Sequence, residues 1–294
     1  MPHLVLHKPS LSDSLLQNLQ QLGAAHAHCH GAYFTLNCPQ PVDPEALESL
    51  SEQYQVDINV FPESGASDGQ TTDLKNMALL ITDMDSTLIN IECVDEIADF
   101  AGKKAEVSAI TEAAMRGELD FNASLSRRVA VLKGLSVNVL DEVYRHRLKL
   151  NPGAEALLQG LQQQQIKTAL VSGGFTYFTD KLRERLGFDF VLSNVLGLED
   201  GELTGEVKGE IVNADRKAQF LQDICSEMNI DTRQAIAVGD GANDLKMMHL
   251  AGLSVAFRAK PTVRRQADIQ LNYSGLDSIL HILDFANNYT KKSA

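Results

Sequence analysis

Residues 77–87 read MALLITDMDST: a short apolar run, then Asp83 and Asp85 separated by one residue, then two hydroxyl side chains. A run this short and this apolar predicts a strand buried on both faces, with the polar residues leaving its carboxyl end. Three further runs have the same character: TALV at 168–171, AIAV at 235–238 and LSVAF at 253–257. Helix-period patterns alternate with them at 155–165, 177–186, 217–228, 245–251 and 278–285. Strand and helix in alternation predict an α/β fold, a doubly wound parallel sheet with helices on both faces.

Two stretches interrupt the alternation. About eighty residues separate the first two strands, far more than one crossover helix needs, and they read as helical: VDEIADFAG, EVSAITEAAMRG, FNASLSRRVAVLKG and VNVLDEVYRHRL. This predicts a helical cap insertion over about 91–150. The run FVLSNVLGLEDGELTGEV, with Asp200-Gly201 at its centre, predicts a small β-hairpin flap.

Upstream lies a second module. Residues 1–72 carry one basic side chain, Lys8, against eight acidic ones, and the stretch ESGASDGQTTD at 63–73 has the composition of a linker. We therefore expect a small α/β domain over 1–72 and a larger domain over 73–294. In the first, LVLH, LSDSLLQNLQQLG, AYFTLN, PEALESLSEQYQ and VDINVF read as strand, helix, strand, helix, strand. The layout resembles the small regulatory modules of the ACT kind, a likeness of arrangement with no motif behind it.

The chain has 294 residues, 44% hydrophobic and 22% charged, which excludes long disorder and fibrous structure. No apolar run approaches the ~18 residues of a membrane helix, and the start lacks the pattern of a signal peptide. We expect no membrane association and a cytoplasmic location. Net charge is −13, which disfavours nucleic acid and anionic lipid, so small-molecule chemistry leads. Cys29, Cys38, Cys93 and Cys225 form no Cys-x-x-Cys pair, so neither a disulfide framework nor a zinc ribbon is expected. His26, His28 and His30 alternate around Cys29 and on a strand share a face, yet no carboxylate or second cysteine completes a metal site.

Three polar clusters follow three predicted strands: Asp83–Thr87, Ser172-Gly173-Gly174, and Gly239-Asp240-Gly241-Ala242-Asn243-Asp244. Ligands of open parallel sheets bind beyond the carboxyl ends of the strands, so the three can converge on one crevice. Two carboxylates at Asp83 and Asp85 suit a nucleophile and a proton donor. Asp240 adds a third, and crowded anions of this kind call for a hard cation such as magnesium. Ser172, Gly173 and Gly174 offer a hydroxyl and unshielded N–H groups to phosphate oxygens. Read singly, the Asp-x-Asp and Gly-Gly pairs are also ordinary turns, Asn243 is also a helix cap, and Lys217 is also a surface lysine.

Taken in order, Asp83-x-Asp85-x-Thr87, Ser172, Lys217 and Gly239-Asp240-Gly241-x-Asn243-Asp244 resemble the haloacid dehalogenase superfamily of phosphotransferases. The runs DMDSTLINIECVDEIA, VSGGF and AVGDGANDL resemble its branch acting on O-phospho-L-serine, over about 75–290. That resemblance implies hydrolysis of L-phosphoserine through an aspartyl phosphate, the last step of L-serine synthesis. It implies Asp83 as nucleophile, Asp85 as general acid and base, and Mg2+ held by Asp83, the Asp85 carbonyl and Asp240, with Asn243 and Asp244 in support. Ser172, Gly173 and Lys217 would hold phosphate. Glu92 and Arg128 would hold the amino and carboxylate groups of the substrate, and Met115 and Phe121 would close over it. Each cap residue has a plainer alternative: Glu92 as a surface acid, Arg128 paired with a cap acid, Met115 and Phe121 as cap core. The same chemistry on another small phosphomonoester, or a phosphoryl-accepting receiver without turnover, are the competing readings. A homodimer, or a regulatory or stabilising part for residues 1–72, remains open at this point.

Overall fold

The computed structural model describes residues 2–61 and 74–289. The expected linker at 63–73 lies outside the described residues. The first domain runs β1 (His3–Leu6), α1 (Asp13–Gln21), β2 (Ala25–Cys29), β3 (Phe34–Asn37), α2 (Pro44–Tyr54) and β4 (Ile58–Phe61). Its sheet has the order β2-β3-β1-β4 and every neighbouring pair is antiparallel. Both helices start on side-chain caps: Ser12 accepts from the Leu15 N–H, and Asp43 from the Glu45 N–H with Pro44 at the first helical position. Leu15 and Leu19 of α1 and Leu47 and Leu50 of α2 bury against Leu4, Leu6 and Leu36 of the sheet.

One strand here departs from the pattern read in the sequence. β2, AHAHC, is an almost wholly exposed edge strand, so it has no apolar alternation to betray it. It also kinks: His26 has φ +52, and the register against β3 shifts between Ala25 and His28. His30 lies past the strand end, bonded to the Thr35 hydroxyl and stacked on Tyr33. The even alternation that would line up three imidazoles is therefore broken.

The larger domain continues with β5 (Leu79–Thr82), then α3 (Cys93–Phe100), α4 (Lys104–Met115), α5 (Phe121–Val131) and α6 (Asn138–His146). These four helices are inserted before α7 (Ala154–Gln163) and β6 (Lys167–Phe175). There follow α8 (Thr176–Leu186), β7 (Phe190–Glu199), β8 (Glu202–Lys208), α9 (Ala214–Glu227), β9 (Ala235–Gly239), α10 (Leu245–Leu250), β10 (Leu253–Phe257), α11 (Pro261–Arg264), β11 (Ile269–Leu271) and α12 (Ser278–Tyr289). The sheet order is β11-β10-β9-β5-β6-β7-β8, parallel throughout except for the β7–β8 hairpin. The hairpin is thus an extension of the main sheet: β7 pairs in parallel with β6 at its start and antiparallel with β8 at its end.

β5 occupies the middle of the sheet, where all four of its residues are buried. The strand order reverses around it, with β9 on one side and β6 on the other, which opens a crevice at their carboxyl ends. The inserted helices are tied to the hairpin by backbone bonds: Gly134 N–H to Leu203 O, Leu203 N–H to Leu135 O, and Val137 N–H to Gly201 O.

The two domains dock through polar groups as well as Phe61 on Phe285. Asp57, 1% exposed, accepts the N–H groups of Asn272, Tyr273 and Ser274 at 2.7, 3.1 and 2.8 Å. The Asn59 side chain bonds both the N–H and the carbonyl of Gln270, as a neighbouring strand would. Buried His7 stacks on His281, and burial, then His281, pulls its pKa down to about 3, so it stays neutral at the seam.

Candidate active site

The chain leaves β5 at Asp83 in extended conformation and wraps residues 84–88 into one wide turn closed by the Ile89 N–H on the Met84 carbonyl. Ser86 takes φ +57 within it. Buried Asn151 braces the turn from outside, its Nδ2 donating to the carbonyls of Thr87 and Ile89 at 2.8 and 3.0 Å. The turn sends the two aspartates into different surroundings.

Asp83 Oδ1 lies 2.8 Å from Lys217 Nζ. The ammonium is fully buried and 2.7 Å from Asp244 Oδ1 on its other side. Lys217 sits in the second turn of α9, a helix capped by Asn213, so a position that looked like solvent in the sequence is core. The two carboxylates hold its pKa above the usual lysine value despite burial. Burial, then Asp244, pushes Asp83 well up, and Lys217 opposes them.

Asp85 turns away. Its Oδ2 accepts the Cys93 N–H at 3.3 Å, while buried Oδ1 has no hydrogen-bond partner among the described residues. Burial, then the Glu92 charge, raises its pKa to about 8, so in the absence of a cation it carries a proton at neutral pH. A carboxyl so placed has the surroundings that a proton donor requires.

β6 contributes Ser172, Gly173 and Gly174. The wholly buried Ser172 Oγ accepts the Gly174 N–H at 2.8 Å, which leaves its own proton to give. A Cβ on Gly174 would stand 3.0 Å from Ser172 Oγ and 3.1 Å from Asp85 Oδ2, so both groups close on that backbone. From the inserted helices, Phe121 Cζ would be 2.9 Å from a Cβ on Gly173. Phe121 thus lies over the Ser172–Gly174 segment.

After β9, Asp240 accepts the Thr87 hydroxyl at 3.1 Å, and its pKa is raised to about 7 by burial and then by Asp244. Fully buried Asp244 bonds Lys217 with one oxygen and the N–H groups of Asp240 and Gly241 with the other. Asn243 does not cap α10; Asp244 occupies that position, and a Cβ on Gly241 would meet Asn243 Oδ1 at 2.3 Å. Ligand oxygens of Asp83, Asp240 and Asp244 all lie within 4.8 Å of one another, the one such group among the described residues. An all-carboxylate set of this kind fits a hard divalent cation. Of the residues expected to hold the ion through a carboxylate, Asp83 and Asp240 both belong to this group.

Glu92 opens α3 and accepts the Ser86 hydroxyl at 2.7 Å. Arg128 on α5 reaches Asp95 only at 4.0 Å, and its buried Nε has no hydrogen-bond partner among the described residues. Met115 ends α4, and its side chain lies outside the described part of the structure. Sequence reading gave Asp244 only a supporting part; its grip on Lys217 joins residues 27 apart and has no local signal.

Over residues 77–252 the chain matches the family of haloacid dehalogenase-like hydrolases. It is 57% identical over 220 residues to the phosphoserine phosphatase of Polaromonas sp., covering 72% of this chain and 93% of that one. The unliganded crystal structure of a probable phosphoserine phosphatase from Vibrio cholerae superposes with a TM-score of 0.84 at 35% identity, covering 99% of this chain and 88% of that one. A phosphoserine phosphatase captured as a phospho-aspartyl intermediate analogue superposes with a TM-score of 0.66 at 40% identity, over 70% of this chain and 98% of that one.

Proposed function

Because the chain belongs to the haloacid dehalogenase-like hydrolases, we propose that it hydrolyses O-phospho-L-serine to L-serine and inorganic phosphate, the last step of L-serine synthesis. The observation that carries this reading is the pairing of Asp83 with buried Lys217 at 2.8 Å, with Asp85 set apart beside Ser172 and Gly174. One carboxylate is paired with a buried ammonium, and the other has its pKa raised by burial and then by the Glu92 charge.

In the first step an Asp83 oxygen attacks phosphorus in line, the bond from phosphorus to the serine oxygen breaks, and Asp85 gives that oxygen its proton. In the second, the Asp85 carboxylate takes a proton from water, whose oxygen attacks the phosphorus of the aspartyl phosphate and returns Asp83 with release of phosphate. Lys217, the Ser172 hydroxyl and the Gly173 backbone neutralise and hold phosphoryl oxygens, which is most of what phosphoryl transfer asks of a protein. Asp83, the Asp85 carbonyl and Asp240 would hold Mg2+, with Asn243 and Asp244 steadying them. The ion would offset the negative charge of the phosphoryl group.

Substrate choice falls to the inserted helices. Glu92 takes the ammonium, Arg128 with its free Nε takes the carboxylate, and Phe121 and Met115 exclude water. Four unpaired cysteines suit the reducing cytoplasm, and among the described residues no helix is long and apolar enough to cross a membrane.

The test is phosphate release from L-phosphoserine beside a panel of phosphomonoesters, with magnesium or chelator, for wild type, Asp83→Asn and Arg128→Ala. Phosphoserine should lead, chelator and Asp83→Asn should abolish turnover, and Arg128→Ala should weaken phosphoserine selectively. If another ester leads and Arg128→Ala leaves it unchanged, the substrate assignment fails while the chemistry stands.

A further inference from the structure

We propose that Asn194 is a positioning residue for the phosphate end of the site. It would lock the Ser172–Gly174 loop to the base of the helix that carries Lys217. The argument starts from the β6–β7 ladder. Val171 faces Leu192 and Phe175 faces Asn194, so three residues of β6, Ser172, Gly173 and Gly174, stand against Ser193 alone. This bulge takes their backbone groups out of the regular ladder, which is what a phosphate-binding loop requires. The cost is a carbonyl, that of Gly173, which loses its regular strand partner beside the core.

Asn194 supplies that partner. Its side chain, 1% exposed, donates from Nδ2 to the Gly173 carbonyl at 2.8 Å. Its Oδ1 accepts the Val212 N–H at 2.9 Å. Val212 directly precedes Asn213, the residue that caps α9 by accepting the N–H groups of Asp215 and Arg216. One turn further on is Lys217, whose own N–H bonds the Asn213 carbonyl. One buried amide thus joins two elements that would both hold phosphate oxygens. Its amide is engaged at both ends, by the Gly173 carbonyl and the Val212 N–H, so it acts through the groups it fixes.

This inference rests on the phosphatase reading, and its test separates the two. Asn194→Asp keeps the shape and the acceptor for Val212 but loses the donor to Gly173; Asn194→Ser is smaller and uncharged, and reads the same effect if the aspartate variant does not fold. Competition constants for inorganic phosphate and for L-serine are measured against whichever phosphomonoester the wild type turns over, with phosphate affinity repeated by calorimetry. The expected result is a kcat lower on the order of 10- to 100-fold and phosphate affinity weaker on the order of tenfold, as for a lost buried hydrogen bond. L-Serine affinity, set by the inserted helices, should stay within about twofold. Equal weakening of both ligands would mean a general loss of structure, and unchanged phosphate affinity in a folded variant would mean no positioning role; either overturns the proposal. Failure of wild type to act on phosphoserine would strike the substrate reading alone, since phosphate affinity is read without it.

Discussion

Replacing Lys217 by Met removes one buried charge while keeping most of the side-chain volume. The ammonium lies 2.8 Å from Asp83 and 2.7 Å from Asp244, with no exposed surface. At an effective dielectric of about 20, one such pair is worth about 6 kcal/mol before desolvation is subtracted. Desolvation cancels much of that, and removal of one partner from a buried pair generally costs about 3–5 kcal/mol. The carboxylates left behind, with oxygens within 4.8 Å, repel by about 3.5 kcal/mol at the same dielectric.

Protonation relieves that repulsion, which gives the prediction its sign. Without Lys217 the folded pKa of Asp83 rises further above the unfolded value, so the folded variant binds more protons than the unfolded chain at neutral pH. Its stability therefore increases as pH falls. Urea unfolding of metal-free protein should show the variant about 3–5 kcal/mol less stable at pH 7.5, with a narrower gap from wild type at pH 5.5. Its kcat should fall on the order of 100- to 1,000-fold, as for a lost electrostatic contact to the reacting group. A loss under about 1 kcal/mol, or a gap that does not narrow in acid, would refute the buried-pair reasoning.

Cation binding should release protons. Asp240 has its pKa raised to about 7 by burial and then by Asp244, so at pH 6.5 a metal-free carboxylate is largely protonated and must ionise to bind magnesium. Calorimetry in buffers of different ionisation heat should detect the release, and affinity should fall below pH 7; no proton exchange would count against Asp240 as a ligand. Gly174→Ala places a Cβ 2.8 Å from Met84 Cε, 3.0 Å from Ser172 Oγ and 3.1 Å from Asp85 Oδ2. The methionine end can yield, whereas the other two move at the expense of catalysis, so kcat should fall on the order of 10- to 100-fold. Full activity in that variant would show that the loop tolerates displacement.

The amino-acid order alone determined the central sheet and the three clusters at its strand ends. Buried parallel strands are short, continuously apolar runs, and the polar residues that follow them have no other place to go. It also marked the inserted helices and the Asp200-Gly201 hairpin, because helix period and turn chemistry are local. β2 and β11 escaped it: the first is exposed and polar, and the second, Ile269–Leu271, is three residues long. Tertiary structure decided the electrostatics. Only packing put Lys217 out of water between Asp83 and Asp244, and left one Asp85 oxygen without a hydrogen-bond partner among the described residues. It likewise joined Asn194 to a carbonyl 21 residues away, and Asp57 to a loop more than 200 residues away. Burial and charge pairing depend on distance in space, and the order of residues encodes that distance only through the completed fold.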